Sequence, residues 1–355
     1  MLRTRLAILG LLGLAACTGT PVTAPGPSAT PAPALSPATQ ISTPVLTDAH
    51  YPGGSTGSAP SAVVASSATV TLPAATITTR PPPSTSTLPP TETPDARLTP
   101  EDWQQWPVIP TISAHAKALY QAGLDAGNNP HAFSKIGDCQ NINSHFLAAF
   151  DDPRLYKLGP SFESLAPAIE QFRGSFDRES AAVRNGFNVA AVLSPLQADP
   201  KVCQPGETPV ACELRLNQPS IVLISMETWW AGKPAAEYEK YMRQILDLVI
   251  AKKALPILAT KADNLEGDFS INATLARLAY EYDIPLWNFW KAVQPLPNGG
   301  LTQDGFHLTH DSQRPDDPLF YQRLSEPSAW NFGWTVRNVT ALQAIDSVWR
   351  QASAP

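Results

Sequence analysis

Beyond residue 100 the chain alternates short apolar runs with stretches of helical periodicity. Ile221-Val222-Leu223-Ile224-Ser225 is a continuous aliphatic run, the pattern of a strand buried on both faces. Leu255-Pro256-Ile257-Leu258-Ala259-Thr260 and Ile284-Pro285-Leu286-Trp287-Asn288-Phe289 read the same way. Phe133-Ser134-Lys135-Ile136-Gly137 is a shorter candidate strand. Within Ala235 to Lys253, Tyr238, Tyr241, Met242, Ile245, Leu248 and Val249 fall at helical spacing. Ile271, Leu275, Leu278 and Ala279 mark one face of a helix over Ser270 to Tyr282, and a last helix is predicted from about Asn338 to Gln351. Strands alternating with helices of this length predict a three-layer α/β/α domain around a central parallel sheet. In such sheets the site lies at the carboxyl ends of the strands.

The N-terminal part reads differently. Arg3 and Arg5 precede a short apolar run, Leu6 to Leu14, which closes in Leu14-Ala15-Ala16-Cys17. A run this short is a signal-peptide core rather than a membrane span. Its ending resembles a bacterial lipobox, which implies a lipidated Cys17, a membrane anchor and an extracytoplasmic location. Residues 1–17 are therefore expected to be the signal peptide. Residues 18–100 are dominated by proline, threonine and serine, with Asp48, Arg80, Glu92, Asp95 and Arg97 as their only charges. Such a segment buries too little apolar surface to offset its ordering entropy, so a disordered linker is expected. Residues 101–355 are left as the folded domain.

Charge and cysteine usage narrow the function classes. The net charge of −6 and pI near 5.5 lack the basic footprint of a nucleic-acid binder. No apolar stretch of about twenty residues follows the N-terminal run, which excludes a polytopic membrane protein. Four cysteines are too few for a disulfide scaffold. Cys203 and Cys212 lie in a Gly- and Pro-containing segment, and in an oxidising compartment they are expected to form a loop disulfide. A zinc site would need two further ligands at standard spacing, and none is present. No metal and no organic cofactor is expected.

The first predicted strand ends in Ile136-Gly137-Asp138-Cys139-Gln140-Asn141, and far downstream stands Gln303-Asp304-Gly305-Phe306-His307-Leu308. An Asp and a His three positions apart on one turn can share a side, where the carboxylate orients the imidazole. The imidazole can then deprotonate a nucleophile from another part of the fold. Asp138 is expected to cap the turn that follows it.

These blocks resemble the SGNH/GDSL hydrolases, over most of residues 131–310. In that family a Gly-Asp-Ser nucleophile follows the first strand and a terminal Asp-x-x-His completes the triad. The resemblance implies a flavodoxin-like fold and a catalytic set of Cys139, Asp304 and His307. It implies an oxyanion glycine at Gly186, in Arg184-Asn185-Gly186-Phe187-Asn188. Two departures stand out. The nucleophile serine is Cys139, and the family's Gly-x-Asn-Asp block reads Met226-Glu227-Thr228-Trp229-Trp230, with Trp229 at the asparagine. A thiolate beside an imidazole is a strong nucleophile, whereas loss of one oxyanion donor costs about 10²–10³ in rate. Asn264, after the third strand, is a candidate replacement donor.

Two functions follow from the resemblance. One is an ester hydrolase acting on an acyl ester, either a small molecule or a polysaccharide bearing O-acyl groups, through Cys139, His307 and Asp304. The other is a binding module that has lost turnover and holds glycans at the cell surface. Trp229, Trp230, Trp287 and Trp290 serve either as ordinary packing or as an aromatic platform for sugar rings. The sequons at Asn272 and Asn338 fall in helical patterns and are read as chance.

Overall fold

Alternation along β2 (Pro219–Ser225) sets the architecture of the computed structural model, which describes residues 97–227, 234–310 and 330–354. Every residue of β2 is buried. Ile221 and Leu223 enter one apolar cluster, while Val222 and Ile224 enter another. A strand with two buried faces must lie inside a sheet covered on both sides. β1 (Asn129–Gly137) and β3 (Leu255–Ala259) flank β2 in parallel, with Ile224 in register with Ile136 and Leu258. β4 (Leu286–Trp287) pairs with β3, giving a four-stranded parallel sheet in the order β1-β2-β3-β4. At the outer flank of β1, Val183 bridges Gly137 in parallel.

Helices fill both layers. α1 (Ala114–Asp125), α2 (Ala166–Gln171), α6 (Phe289–Val293) and α7 (Gly333–Ser353) pack with Phe133, Ile221, Leu255, Ile257 and Trp287 on one face. α3 (Pro209–Asn217), α4 (Ala235–Ala251) and α5 (Ser270–Glu281) pack with Ile136, Val222, Ile224, Leu258 and Leu286 on the other. The chain is thus a mixed α/β fold with a parallel sheet flanked by helices. Among the described residues no helix is long and apolar enough to cross a membrane.

Two elements differ from the sequence expectation. The last strand is shorter than Ile284 to Phe289. The Ile284 N–H instead closes α5 on the Ala279 carbonyl, and Asn288 caps α6 with its side chain accepting from Lys291 N–H. α7 begins earlier than Asn338. From Gly333 to Leu342 it is buried on every side, Thr335 and Arg337 included, so no polar face marks its start. A segment before α1 meets the chain just beyond β4, where the Asn288 N–H donates to the Val108 carbonyl at 3.1 Å.

Cys203 and Cys212 form the expected disulfide, Cα to Cα 5.3 Å, joining a loop to the first turns of α3. The two sequon asparagines are buried, and each pins backbone. Asn272 receives the Lys261 N–H and donates to the Lys261 carbonyl, both at 2.9 Å. Asn338 accepts from Leu147 N–H at 2.6 Å and donates to the His145 carbonyl at 3.0 Å.

Candidate active site

β1 ends in a turn that leaves no room at Gly137. A Cβ there would stand 2.1 Å from Asn141 Nδ2, and that nitrogen donates to the Ser225 carbonyl at 2.8 Å. Asp138 does more than cap the turn. Its Oδ1 accepts from Gln140 N–H at 3.0 Å, while its Oδ2 accepts from Glu227 N–H at 2.7 Å, tying the ends of β1 and β2 together. Cys139 opens a single 3₁₀ turn, Cys139–Asn141, is half-buried and takes no part in the disulfide.

The downstream block forms a compact loop closed by an antiparallel bridge between Leu301 and Leu308. Gly305 takes φ +71° at its tip, a conformation that glycine adopts without strain. Asp304 Oδ2 stands 2.5 Å from His307 Nδ1. Asp304 Oδ1 accepts from Thr302 Oγ1 at 2.6 Å, from Phe306 N–H at 2.9 Å and from His307 N–H at 3.0 Å. The His307 side chain and these three donors hold the Asp304 carboxyl well below the usual carboxylate range. A carboxylate at Nδ1 assigns the proton of neutral imidazole to that nitrogen and leaves Nε2 as the acceptor. Both side chains are exposed.

The two blocks meet through their neighbours. Gln140 Nε2 donates to the Phe306 carbonyl at 3.1 Å, so the residue after Cys139 is bonded to the residue before His307. The turn leaving β1 and the Asp304–His307 loop are therefore adjacent.

A buried ion pair underlies this junction, and sequence reasoning missed it. Arg337 Nη1 lies 2.6 Å from Glu227 Oε1, an ion pair without the alignment of a hydrogen bond. Arg337 Nη2 donates to Ser225 Oγ at 2.8 Å and Nε to the Gln140 carbonyl at 3.3 Å. Its guanidinium sits 4.8 Å from the Phe146 ring centre and 5.0 Å from that of Phe289. Burial is the largest influence on the Glu227 carboxyl and pushes it up to about 7, against the pull of Arg337 and with help from Asp138 and Asp263. A carboxylate two positions after a fully buried strand was the available signal for Glu227. Arg337 gave none, being one cation on an unremarkable helix.

The other predicted residues fall in separate places. Gly186 lies in an exposed turn at φ +81°, three residues beyond the Val183 bridge to the end of β1. Asn264 commits its Oδ1 to Phe269 N–H at 2.8 Å and so holds its own loop. That loop wraps the buried Lys261 ammonium, which pairs with Asp263 at 2.6 Å and Glu266 at 2.5 Å. Trp229 and Trp230 lie outside the described residues. Trp287 is wholly buried with its indole N–H on Thr340 Oγ1, and Trp290 packs 4.9 Å from Trp103. The packing reading holds for Trp287, whose ring has no open surface, while Trp290 is partly buried against the core.

The Sγ atoms of Cys203 and Cys212 and the Glu207 carboxylate lie within 4.8 Å of one another. The sulfurs are bonded to each other and Glu207 is held by Arg215 at 2.6 Å, so this group is spoken for. A cavity of about 320 Å³, lined by Arg97, Trp106, Tyr280 and Pro285 among others, opens at the start of β4. None of Cys139, Asp304 or His307 lines it, and the Asp304–His307 contact with the Gln140–Phe306 bond, not cavity size, marks the candidate site. Compared with models of known families and with curated proteins, the chain matches none.

Proposed function

We propose that the protein is an ester hydrolase of the SGNH/GDSL kind, with its site at the carboxyl end of β1. The observation that carries this reading is the Asp304–His307 pair at 2.5 Å, in a loop bonded through Gln140 to the turn that holds Cys139. His307 Nε2 takes the thiol proton, and the Cys139 sulfur attacks the ester carbonyl. The alcohol leaves with the proton that His307 returns, and water then hydrolyses the thioester by the same base. Asp304 orients the ring and stabilises the imidazolium. The oxyanion falls to backbone N–H groups, with that of Cys139 first among them. The substrate class is an acyl ester on a small molecule or a polysaccharide. A lipidated Cys17 would place the reaction outside the cytoplasm, and the Cys203–Cys212 disulfide supports an oxidising compartment.

A second reading is a binding module on the same scaffold. It is favoured by the buried Asp138 carboxyl immediately before Cys139, which opposes a developing oxyanion beside it. A panel of p-nitrophenyl esters and acetylated glycans decides between them. Turnover by the wild type that is lost in Cys139→Ala and His307→Ala supports the hydrolase. Glycan binding without turnover in wild type and Cys139→Ser alike supports the module.

A further inference from the structure

The Asp304–His307 loop is self-contained. Thr302, Phe306 and His307 saturate one carboxylate oxygen, and the Leu301–Leu308 bridge closes the base. Those contacts fix imidazole to carboxylate. They do not set where the imidazole stands relative to Cys139. The loop base is held to α7 through Thr309, whose carbonyl accepts from Trp334 N–H at 3.2 Å and whose hydroxyl accepts from Gly333 N–H at 2.9 Å. The tip lies several residues beyond that anchor.

Gln140 makes a further connection, and it does so from both its backbone and its side chain. Its N–H donates to Asp138 Oδ1 at 3.0 Å, and its carbonyl accepts from Arg337 Nε at 3.3 Å. These two bonds fix the backbone on the far side of Cys139. Its Nε2 donates to the Phe306 carbonyl at 3.1 Å, across 166 positions of chain. The residue is only 1% exposed, so the donor end of this bond is shielded from water. Phe306 O can only accept, which obliges the amide to present its nitrogen. The other amide atom, Oε1, is buried with no partner among the described residues. An apolar side chain of the same shape would avoid that desolvation cost, and buried unpaired groups of this kind concentrate at working sites.

We infer that Gln140 is a positioning residue, whose side-chain amide sets His307 in register with Cys139. The inference rests on the thiol–imidazole reading above. Gln140 acts through the Phe306 peptide and donates no proton to the reaction. Its leverage comes from geometry, since a displacement of about 1 Å in a reacting pair can cost roughly 10²-fold.

The test follows alkylation of Cys139 in the full chain by iodoacetamide from about pH 6 to about pH 10, across the free-thiol value of about 8.5. Gln140→Met keeps the shape, removes the donor and adds no charge. Gln140→Leu does the same with a stiffer side chain and decides the matter should the Met variant lose its circular dichroism signal. In the wild type, alkylation is expected to titrate below the free-thiol value. In both Gln140 variants it should move toward the profile of His307→Ala, with the rate at pH 7 lowered by roughly 3- to 10-fold. The far-UV spectrum and the Cys203–Cys212 linkage should stay as in the wild type. A wild-type profile in the Gln140 variants, beside a shifted one in His307→Ala, overturns the positioning role and leaves the thiol–imidazole reading standing. Identical profiles in wild type and His307→Ala overturn that reading, and the positioning role with it.

Discussion

Arg337 on α7 and Glu227 at the end of β2 stand 2.6 Å apart with both side chains withdrawn from solvent. The guanidinium also holds Ser225 Oγ and the Gln140 carbonyl. Removing one partner of a buried pair strands the other charge, at a cost of about 3–5 kcal/mol. Arg337→Met should therefore destabilise by that amount in urea unfolding. The double change with Glu227→Leu should recover much of the loss. A loss below 1 kcal/mol for Arg337→Met alone would show that the pair carries no such weight.

Glu227 also gives stability a pH dependence of known sign. Burial raises its carboxyl from 4.5 to about 7 in the folded protein. Between those values the folded state binds the extra proton, so stability is greatest below about pH 4.5 and falls as the pH rises through 7. The span is worth on the order of 3 kcal/mol. Thermal melts of wild type against Glu227→Gln, taken from pH 5 to about pH 8, isolate this one group. The melting temperature of the wild type relative to the variant should decline over that range.

Asp304 behaves in the opposite sense. Its depressed carboxyl means that what the His307 contact contributes is present above the ordinary carboxylate value and is lost only as the pH falls through the lower folded value. Asp304→Asn removes the acceptor that sets the imidazole tautomer. If the chain turns over esters, kcat should fall by roughly 10⁴-fold with little change in KM. Steady-state kinetics on whichever ester the screen selects makes the measurement, and an unchanged kcat rules out the orienting role.

The disulfide closes a loop over nine positions. On the chain-entropy account a closure of this size contributes about 2.5–3 kcal/mol. Cys203→Ser with Cys212→Ser should lower the melting temperature by several degrees. Cys139 alkylation should be unaffected, because the bridge lies at α3 and not at the β1 turn.

Asn272 offers a separate check. Its amide satisfies both backbone groups of Lys261 at the end of β3. Asn272→Ala leaves those groups unpaired and should cost about 1–3 kcal/mol per group. Peptide mapping of the protein should find Asn272 without a glycan, since its side chain is wholly buried.

Much of the fold was readable because burial leaves a periodic mark. β2 showed as an unbroken aliphatic run and α4 as a stripe of Tyr238, Met242 and Ile245. The start of α7 was not readable, because a helix buried all round has no polar stripe to count from. At the site, the Asp304–His307 contact was legible since both residues sit on one turn. The Arg337–Glu227 pair spans the chain from β2 to α7, and nothing local brings those residues together. The second hydrogen bond of Asp138, to Glu227 N–H, was invisible for the same reason. Asn264 has its Oδ1 on Phe269 N–H, a contact five positions along the chain that its residue type alone did not announce.

The Val108 carbonyl that receives the Asn288 N–H has a bearing on how copies of this chain meet. A parallel sheet with an open last strand offers a ladder of amides onto which another chain can add. Here the segment leading into α1 bonds the backbone just beyond the short β4, and the Val183 bridge occupies the tip of β1 on the opposite flank. A neighbouring molecule that approaches either side finds irregular backbone already bonded, so the sheet does not template its own extension. Copies of this chain can then touch often without zipping together.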